Sequence, residues 1–154
     1  MNRVATSAIA VTVALGGVAI AATPAEAATS LKVRALNEAK AQTGDPYKKA
    51  AIGPNAFDCS GLTYYSYKRV GKTLQRTAQG QYNKSKHVSA SSRQVGDLVF
   101  IGNSSGSIYH VGIYAGFSGG YGWMVDSPKP GRKVGKHKIQ DYTGGAPKAY
   151  YGRY

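Results

Sequence analysis

The sequence predicts an α+β fold in which N-terminal helices pack on an antiparallel β-sheet. Two observations carry this. Apolar residues follow helical spacing between Leu31 and Val70, and from Gly96 onward short apolar runs alternate with Gly/Ser turns. The turns are short and hairpin-like, which indicates antiparallel neighbours.

In chain order, the first stretch reads as an export signal. Met1-Asn2-Arg3 is a positive start, the run from Val4 to Ala22 is uncharged, and Ala25-Glu26-Ala27 has the small-x-small pattern of a cleavage site. A membrane anchor is the rival reading, because about 20 apolar residues are enough to span a bilayer. Pro24, the Ala/Gly/Thr content and the lack of a basic flank favour removal, and no cysteine lies nearby to carry a lipid. Residues 1–27 are therefore expected to be removed, leaving 28–154 as a single domain outside the cell, with no stable membrane anchor.

The next segment, Leu31–Lys40, spaces Leu31, Ala35, Leu36 and Ala39 as a helix, with Ser30 as N-cap and Gly44-Asp45-Pro46 as terminator. Residues 47–56 form a loop with a turn at Ile52-Gly53-Pro54-Asn55. A second helix runs from Cys59 to about Val70, with Asp58 as N-cap and Gly71 just past its end. Residues 72–95 are polar, and a short helix is expected only near Thr77–Asn83. Strands follow at Leu98–Ile101, Tyr109–Ala115, Tyr121–Ser127 and a basic segment near Lys133–Ile139.

Lysine and arginine number 20 against 7 acidic residues, a net charge of +13, and removing Arg3 and Glu26 with the signal leaves that net unchanged. For an exported protein such a charge suits anionic cell-wall polymers or simple solubility. The basic tract Lys129–Lys138 fits nucleic acid by composition, but export argues against it. One cysteine and three scattered histidines lack the ligand spacing of a zinc site, and the glycines at 102–106 lack a phosphate loop's ending.

Cys59 is the only cysteine, so an intrachain disulfide is impossible in an oxidising compartment where cysteines usually pair. It is a small buried apolar residue, a thiol that pairs between chains, or a nucleophile. Its place at a helix start favours the last reading, because free N–H groups and the helix dipole stabilise a thiolate. Two histidines, His87 and His137, sit in Lys/Ser-rich contexts and are expected on the surface. His110 opens a strand. A hairpin turn centred on Ser118 places His110 opposite Asp126, with Gly112, Tyr114, Gly122 and Met124 on their face and Val111, Ile113 and Val125 on the other. A histidine oriented by a carboxylate is the base a cysteine nucleophile needs. Asp126 also fits a turn former beside Ser127-Pro128.

Phe57-Asp58-Cys59-Ser60-Gly61-Leu62 resembles the nucleophile motif of the NlpC/P60 family of cell-wall cysteine peptidases. The likeness continues in order through Gly71–Ala78 with Gln81, Gly96–Phe100 and His110–Tyr114, and Pro46-Tyr47 matches the start of the family's Pro-Tyr-x-Trp-Gly-Gly segment. The resemblance implies a papain-like fold with the nucleophile at a helix N-terminus. It implies hydrolysis of peptidoglycan stem peptides, typically between D-γ-glutamate and the diamino acid, without a cofactor. Cys59 would be the nucleophile, His110 the base and Asp126 the third residue, where the family most often has histidine. Tyr47, Asp58 and Ser60 match positions lining the substrate groove, and Asp58 is suited to meet a stem amine. The chain departs from the family at Lys48-Lys49-Ala50-Ala51, in place of Trp-Gly-Gly. A monomer is expected. A basic wall-binding module, an amidase or acyltransferase, and an antibacterial effector are the alternatives.

Overall fold

The computed structural model describes residues 24–154; most of the expected export signal, 1–27, lies outside them. Three helices, α1 (Pro24–Ala41), α2 (Cys59–Arg69) and α3 (Ala78–Lys84), precede or flank six strands. The strands are β1 (Lys86–Val88), β2 (Leu98–Gly102), β3 (Ile108–Ser118), β4 (Tyr121–Asp126), β5 (Gly135–Lys138) and β6 (Lys148–Arg153). They form one antiparallel sheet in the order β1-β6-β2-β3-β4-β5. The two edge strands are short and carry Lys86, Lys136 and Lys138, which discourages edge-to-edge pairing.

Every residue of β2 is buried because apolar groups cover both of its faces. Leu98 and Phe100 join Val111, Ile113 and Val125 against Leu36, Leu62 and Tyr67 of the helices. Val99 and Ile101 pack with Tyr114, Met124, Tyr151 and Ile139, the last from a 3-10 turn at Ile139–Asp141. A buried ion cluster ties the first helix to the last strand. Lys32 reaches Asp97 at 2.9 Å, and Arg153 donates twice to the same carboxylate at 2.8 Å.

The expected elements are present with three corrections. Helix α1 starts at Pro24 rather than Leu31, so Ser30 lies inside the helix. Proline suits a first helical position, and the alanines after it are strong helix formers. Strands β1 and β6 are additional to those expected. The hairpin between β3 and β4 is also set differently from the expected register. It turns on Gly119 and Gly120, both with positive φ, so Ser118 pairs with Tyr121. An irregularity between Tyr114 and Gly116 then shifts the register, so Ile113 pairs with Val125 and the next step brings Gly112 across from Asp126. His110 is thus diagonal to Asp126, not opposite. The shift at this end is an even number of residues, so each side chain keeps its expected face.

Helix α2 begins and ends as its sequence predicts, and α3 lies within one residue of the expected Thr77–Asn83. Asp58 caps α2 by accepting the Gly61 N–H at 2.7 Å, and Thr77 caps α3 by accepting the Gly80 N–H at 3.1 Å. Gly71, at φ 95, closes α2 with its own N–H on the Lys68 carbonyl and the Lys72 N–H on Tyr67, a complete Schellman motif.

Candidate active site

Cys59 is the first residue of α2 and is half-buried. The Asp58 carboxylate and carbonyl take the N–H groups of Gly61 and Leu62. The N–H groups of Cys59 and Ser60 remain as first-turn donors, pointing outward at the positive end of the helix dipole. The Cys59 sulfur lies 3.9 Å from the Tyr109 carbonyl oxygen, which brings it against the start of β3.

His110 follows on β3 and is buried. Its Nε2 lies 2.7 Å from Asp126 Oδ2, leaving Nδ1 as the ring nitrogen for the thiol. Burial pushes the imidazole pKa down. Hydrogen bonds with Asp126 and Cys59, and their charges, outweigh burial and raise it to about 9. A histidine that stays protonated beside a thiol is the arrangement that favours a thiolate.

Asp126 has no exposed surface, yet its two oxygens accept three hydrogen bonds. Besides His110, the donors are His137 Nδ1 at 2.6 Å and the Tyr142 hydroxyl at 2.5 Å. Burial pushes this carboxyl up, but the bonds from His110, His137 and Tyr142 hold it below the usual carboxylate range. Burial and the Asp126 charge push the Tyr142 phenol far above its ordinary value, so it stays a donor. The Tyr142 ring also stacks on His110, with centroids 4.8 Å apart and planes at 10°.

Glycines make this clamp possible. Asp126 sits on β4 between Gly112 of β3 and Gly135 of β5. A Cβ on Gly112 would lie 2.9 Å from the Asp126 Cβ. With no side chains directly beside the carboxylate, the two histidines reach it diagonally, His110 from one strand and His137 from the other.

His137 corrects the expectation of a surface residue; its side chain is only 21% exposed. It pairs with Met124, which shares the face of Asp126, so extending the register from β4 to β5 would have found it. Its local Lys-rich sequence hid that. Tyr142, beyond the last expected strand, gave no sequence signal. His87 is exposed as expected and stacks on Tyr82.

Two depressions meet at Cys59. One, about 360 Å³, holds His110 and is walled by Tyr47, Lys129, Arg132, His137, Asp141 and Tyr142. The other, about 470 Å³, runs past Lys49, Ala50, Asp58, Ser60 and Arg76. The expected groove residues Tyr47, Asp58 and Ser60 therefore all lie beside the sulfur. Burial and the charges of Cys59 and Asp58 push the Tyr47 phenol up. The Asp58 oxygens are already occupied. Arg76 grips them at 2.6 and 3.1 Å, and the Ala50 and Gly61 N–H groups donate at 3.0 and 2.7 Å. Arg76 also donates to Ser60 Oγ at 2.9 Å. An incoming amine would meet a carboxylate already neutralised by this arginine, a partner the sequence reading did not assign.

Residues 44–151 match the NlpC/P60 family. The probable endopeptidase p60 of Listeria grayi is 46% identical over 97 residues, which are 63% of this chain and 18% of that protein. The chain thus spans about a fifth of that relative's length, and 47% of that of a probable endopeptidase of Corynebacterium glutamicum, which is 39% identical over 107 residues. Among solved structures, the NlpC/p60 domain of the peptidoglycan hydrolase SagA superposes with a TM-score of 0.66 at 31% identity, covering 79% of this chain and 97% of that one.

Proposed function

This chain belongs to the NlpC/P60 family, whose relatives include peptidoglycan endopeptidases, and we propose that it is an exported cysteine peptidase cutting peptidoglycan stem peptides. The observation that carries the reading is the Cys59–His110–Asp126 line, with the nucleophile at a helix start and the imidazole fixed by a buried carboxylate.

In this mechanism the Cys59 thiolate attacks the scissile carbonyl carbon. The oxyanion forms beside the N–H groups of Cys59 and Ser60, which need no reorganisation to meet it. As the intermediate collapses, the C–N bond breaks and His110 gives its proton to the departing amine, leaving a thioester on Cys59. Water then adds to the thioester while His110 takes its proton. Collapse releases the acid and the thiolate, with the imidazolium restored. Asp126 keeps the imidazole's Nε2 occupied so that Nδ1 faces the sulfur, and His137 and Tyr142 hold Asp126. These two act as positioning residues.

The bond between D-γ-glutamate and the diamino acid is the proposed target. The +13 charge supports retention on anionic wall polymers; retention that does not change with salt would count against it. The intact constellation supports hydrolysis over a binding-only module. The test is digestion of purified peptidoglycan by the wild-type protein and by Cys59→Ala, with mass spectrometry of the new termini. Release of peptide by wild type and none by the variant is expected. Equal release from both would end the cysteine reading, and termini at the sugar–peptide amide would make the protein an amidase.

A further inference from the structure

We propose that the His110 arm of the groove is a carboxylate-recognising subsite, in which Arg132 and Lys129 select a free acid on the fragment carrying the leaving amine. This rests on the peptidase reading above and adds a substrate requirement to it.

The two arms are not equivalent. The imidazole that protonates the departing amine lines only the arm shared with Tyr47 and Tyr142, so the amine-bearing fragment must lie there. The acyl half then lies along Asp58, Ser60 and Arg76.

The free cations are divided unequally as well. On the acyl side, the Arg76 guanidinium is consumed by Asp58 and Ser60, which leaves only Lys49, a single exposed ammonium with no planar fork, at the border of that arm. On the amine side, Lys129 and Arg132 are exposed, and among the described residues neither is within ion-pair distance of a carboxylate. Two acids lie close by. Asp141 lines the arm, and Asp126 lies behind it, buried and occupied by three donors. The Arg132 charge is felt inside the arm, where it opposes the rise in the Tyr142 pKa.

The segment that carries the cations is also held in place by backbone bonds. The Arg132 N–H closes a turn onto the Lys129 carbonyl at 3.0 Å, around Gly131 at φ 82. The Arg132 carbonyl accepts the Tyr47 N–H at 3.0 Å, and Val134 exchanges hydrogen bonds with Gly44 and Asp45. The guanidinium therefore rises from a segment pinned to the Tyr47 wall. A planar fork of donors anchored this way matches a carboxylate and has no comparable use for a carboxamide.

The test uses two stem-peptide substrates with identical acyl halves. In one, the amine fragment bears a free carboxylate; in the other, the same group is a carboxamide. Wild type is expected to favour the acid by about tenfold or more in kcat/KM. In Arg132→Gln combined with Lys129→Gln, that ratio should fall toward one, while Arg132→Lys keeps part of it. Equal cleavage of both substrates by wild type overturns the subsite and leaves the peptidase reading intact. A preference that survives the double substitution also overturns it. If wild type cleaves neither substrate nor whole peptidoglycan, the peptidase reading itself falls and the subsite with it. The ratio is internal to each enzyme, so partial loss of folded protein does not mimic the expected result. A double variant too unstable to assay is replaced by Arg132→Gln alone, read by the same ratio.

Discussion

Replacing Asp126 with asparagine keeps the size of the side chain and removes its charge, and the consequences can be worked from the contacts. The carboxylate accepts from three donors: His110, His137 and Tyr142. An amide has one acceptor oxygen and turns an NH2 toward at least one of those donors. In the native site the His110 pKa stands at about 9 against an ordinary 6.5, although burial pushes it down. That difference corresponds to about 3 kcal/mol favouring the imidazolium, net of burial. Without the Asp126 charge only the Cys59 hydrogen bond and charge oppose burial, and the pKa should fall toward its ordinary value. Most of the imidazolium is then lost at neutral pH, and the ring also loses the contact that selects its tautomer. Together these should lower kcat/KM by roughly 10²–10⁴-fold. The assay is a pH profile of kcat/KM on a soluble stem peptide. Its limbs report the coupled Cys59–His110 pair rather than either group alone. The alkaline limb of wild type should lie near 9 and move down in Asp126→Asn. The stability profile has a definite sign. A histidine whose folded pKa is raised contributes fully below its unfolded pKa, and that contribution is lost as pH rises through about 9. Wild type should therefore lose thermal stability between about 6.5 and 9, and the variant should not. An alkaline limb that stays put in the variant would refute the reasoning.

Two further predictions concern the backbone around the site. Gly112→Ala would bring a methyl group to 2.9 Å from both the Asp126 Cβ and the Met124 sulfur. The strands must part, at about 1–3 kcal/mol of stability, and displacement of Asp126 by even about 1 Å should cost on the order of 100-fold in kcat/KM. Gly135→Ala is the control, because its new Cβ meets His137 at an ordinary 3.5 Å; equal losses in the two variants would show that Gly112 has no special role. Ala50 is the one non-glycine residue with positive φ among the described residues, at 65°. Ala50→Gly should raise stability by about 0.5–1 kcal/mol, since relief of the left-handed strain exceeds the added freedom of the unfolded chain. Chemical denaturation reads this directly, and an unchanged or lower midpoint would contradict it.

How much of this was legible in the sequence depended on how local each signal was. The cap on α2, the Schellman closure at Gly71 and the place of Cys59 at a helix start rest on a few consecutive residues, and all could be read. His110 and Asp126 were brought to one face by alternation, which survives any even shift of register. The diagonal geometry was not legible, because it depends on the irregularity near Ala115 and on the turn settling on Gly119-Gly120. His137, Lys32 and Arg153 were missed for a different reason. Each is a charged or polar residue in a basic local context, and each is drawn inward by an acid distant in sequence: Asp126 or Asp97. Strand β6 pairs on both sides with segments more than 40 positions away, so nothing nearby announced it.

The departure from the family pattern at Lys48–Ala51 falls on side chains, whereas the work this loop does for the start of α2 is done by its backbone. The Ala51 carbonyl accepts the Asp58 N–H at 3.0 Å and lies so close to α2 that a Cβ on Gly61 would come within 2.1 Å of it. The Ala50 N–H holds the Asp58 carboxylate at 3.0 Å, and Lys48 bonds the Phe57 carbonyl. Any residue supplies these groups, and Ala50 does so in the left-handed conformation where a glycine would be at ease. The start of α2, and with it the aim of Cys59, is therefore insulated from the change. Lys48 and Lys49 are exposed, and Lys49 borders the arm of the groove assigned to the acyl half. A lysine in that wall replaces apolar contact with positive charge. Under the proposed peptidase reading, the substitution bears on which stem peptides are accepted and leaves the chemistry at Cys59 to residues it does not touch.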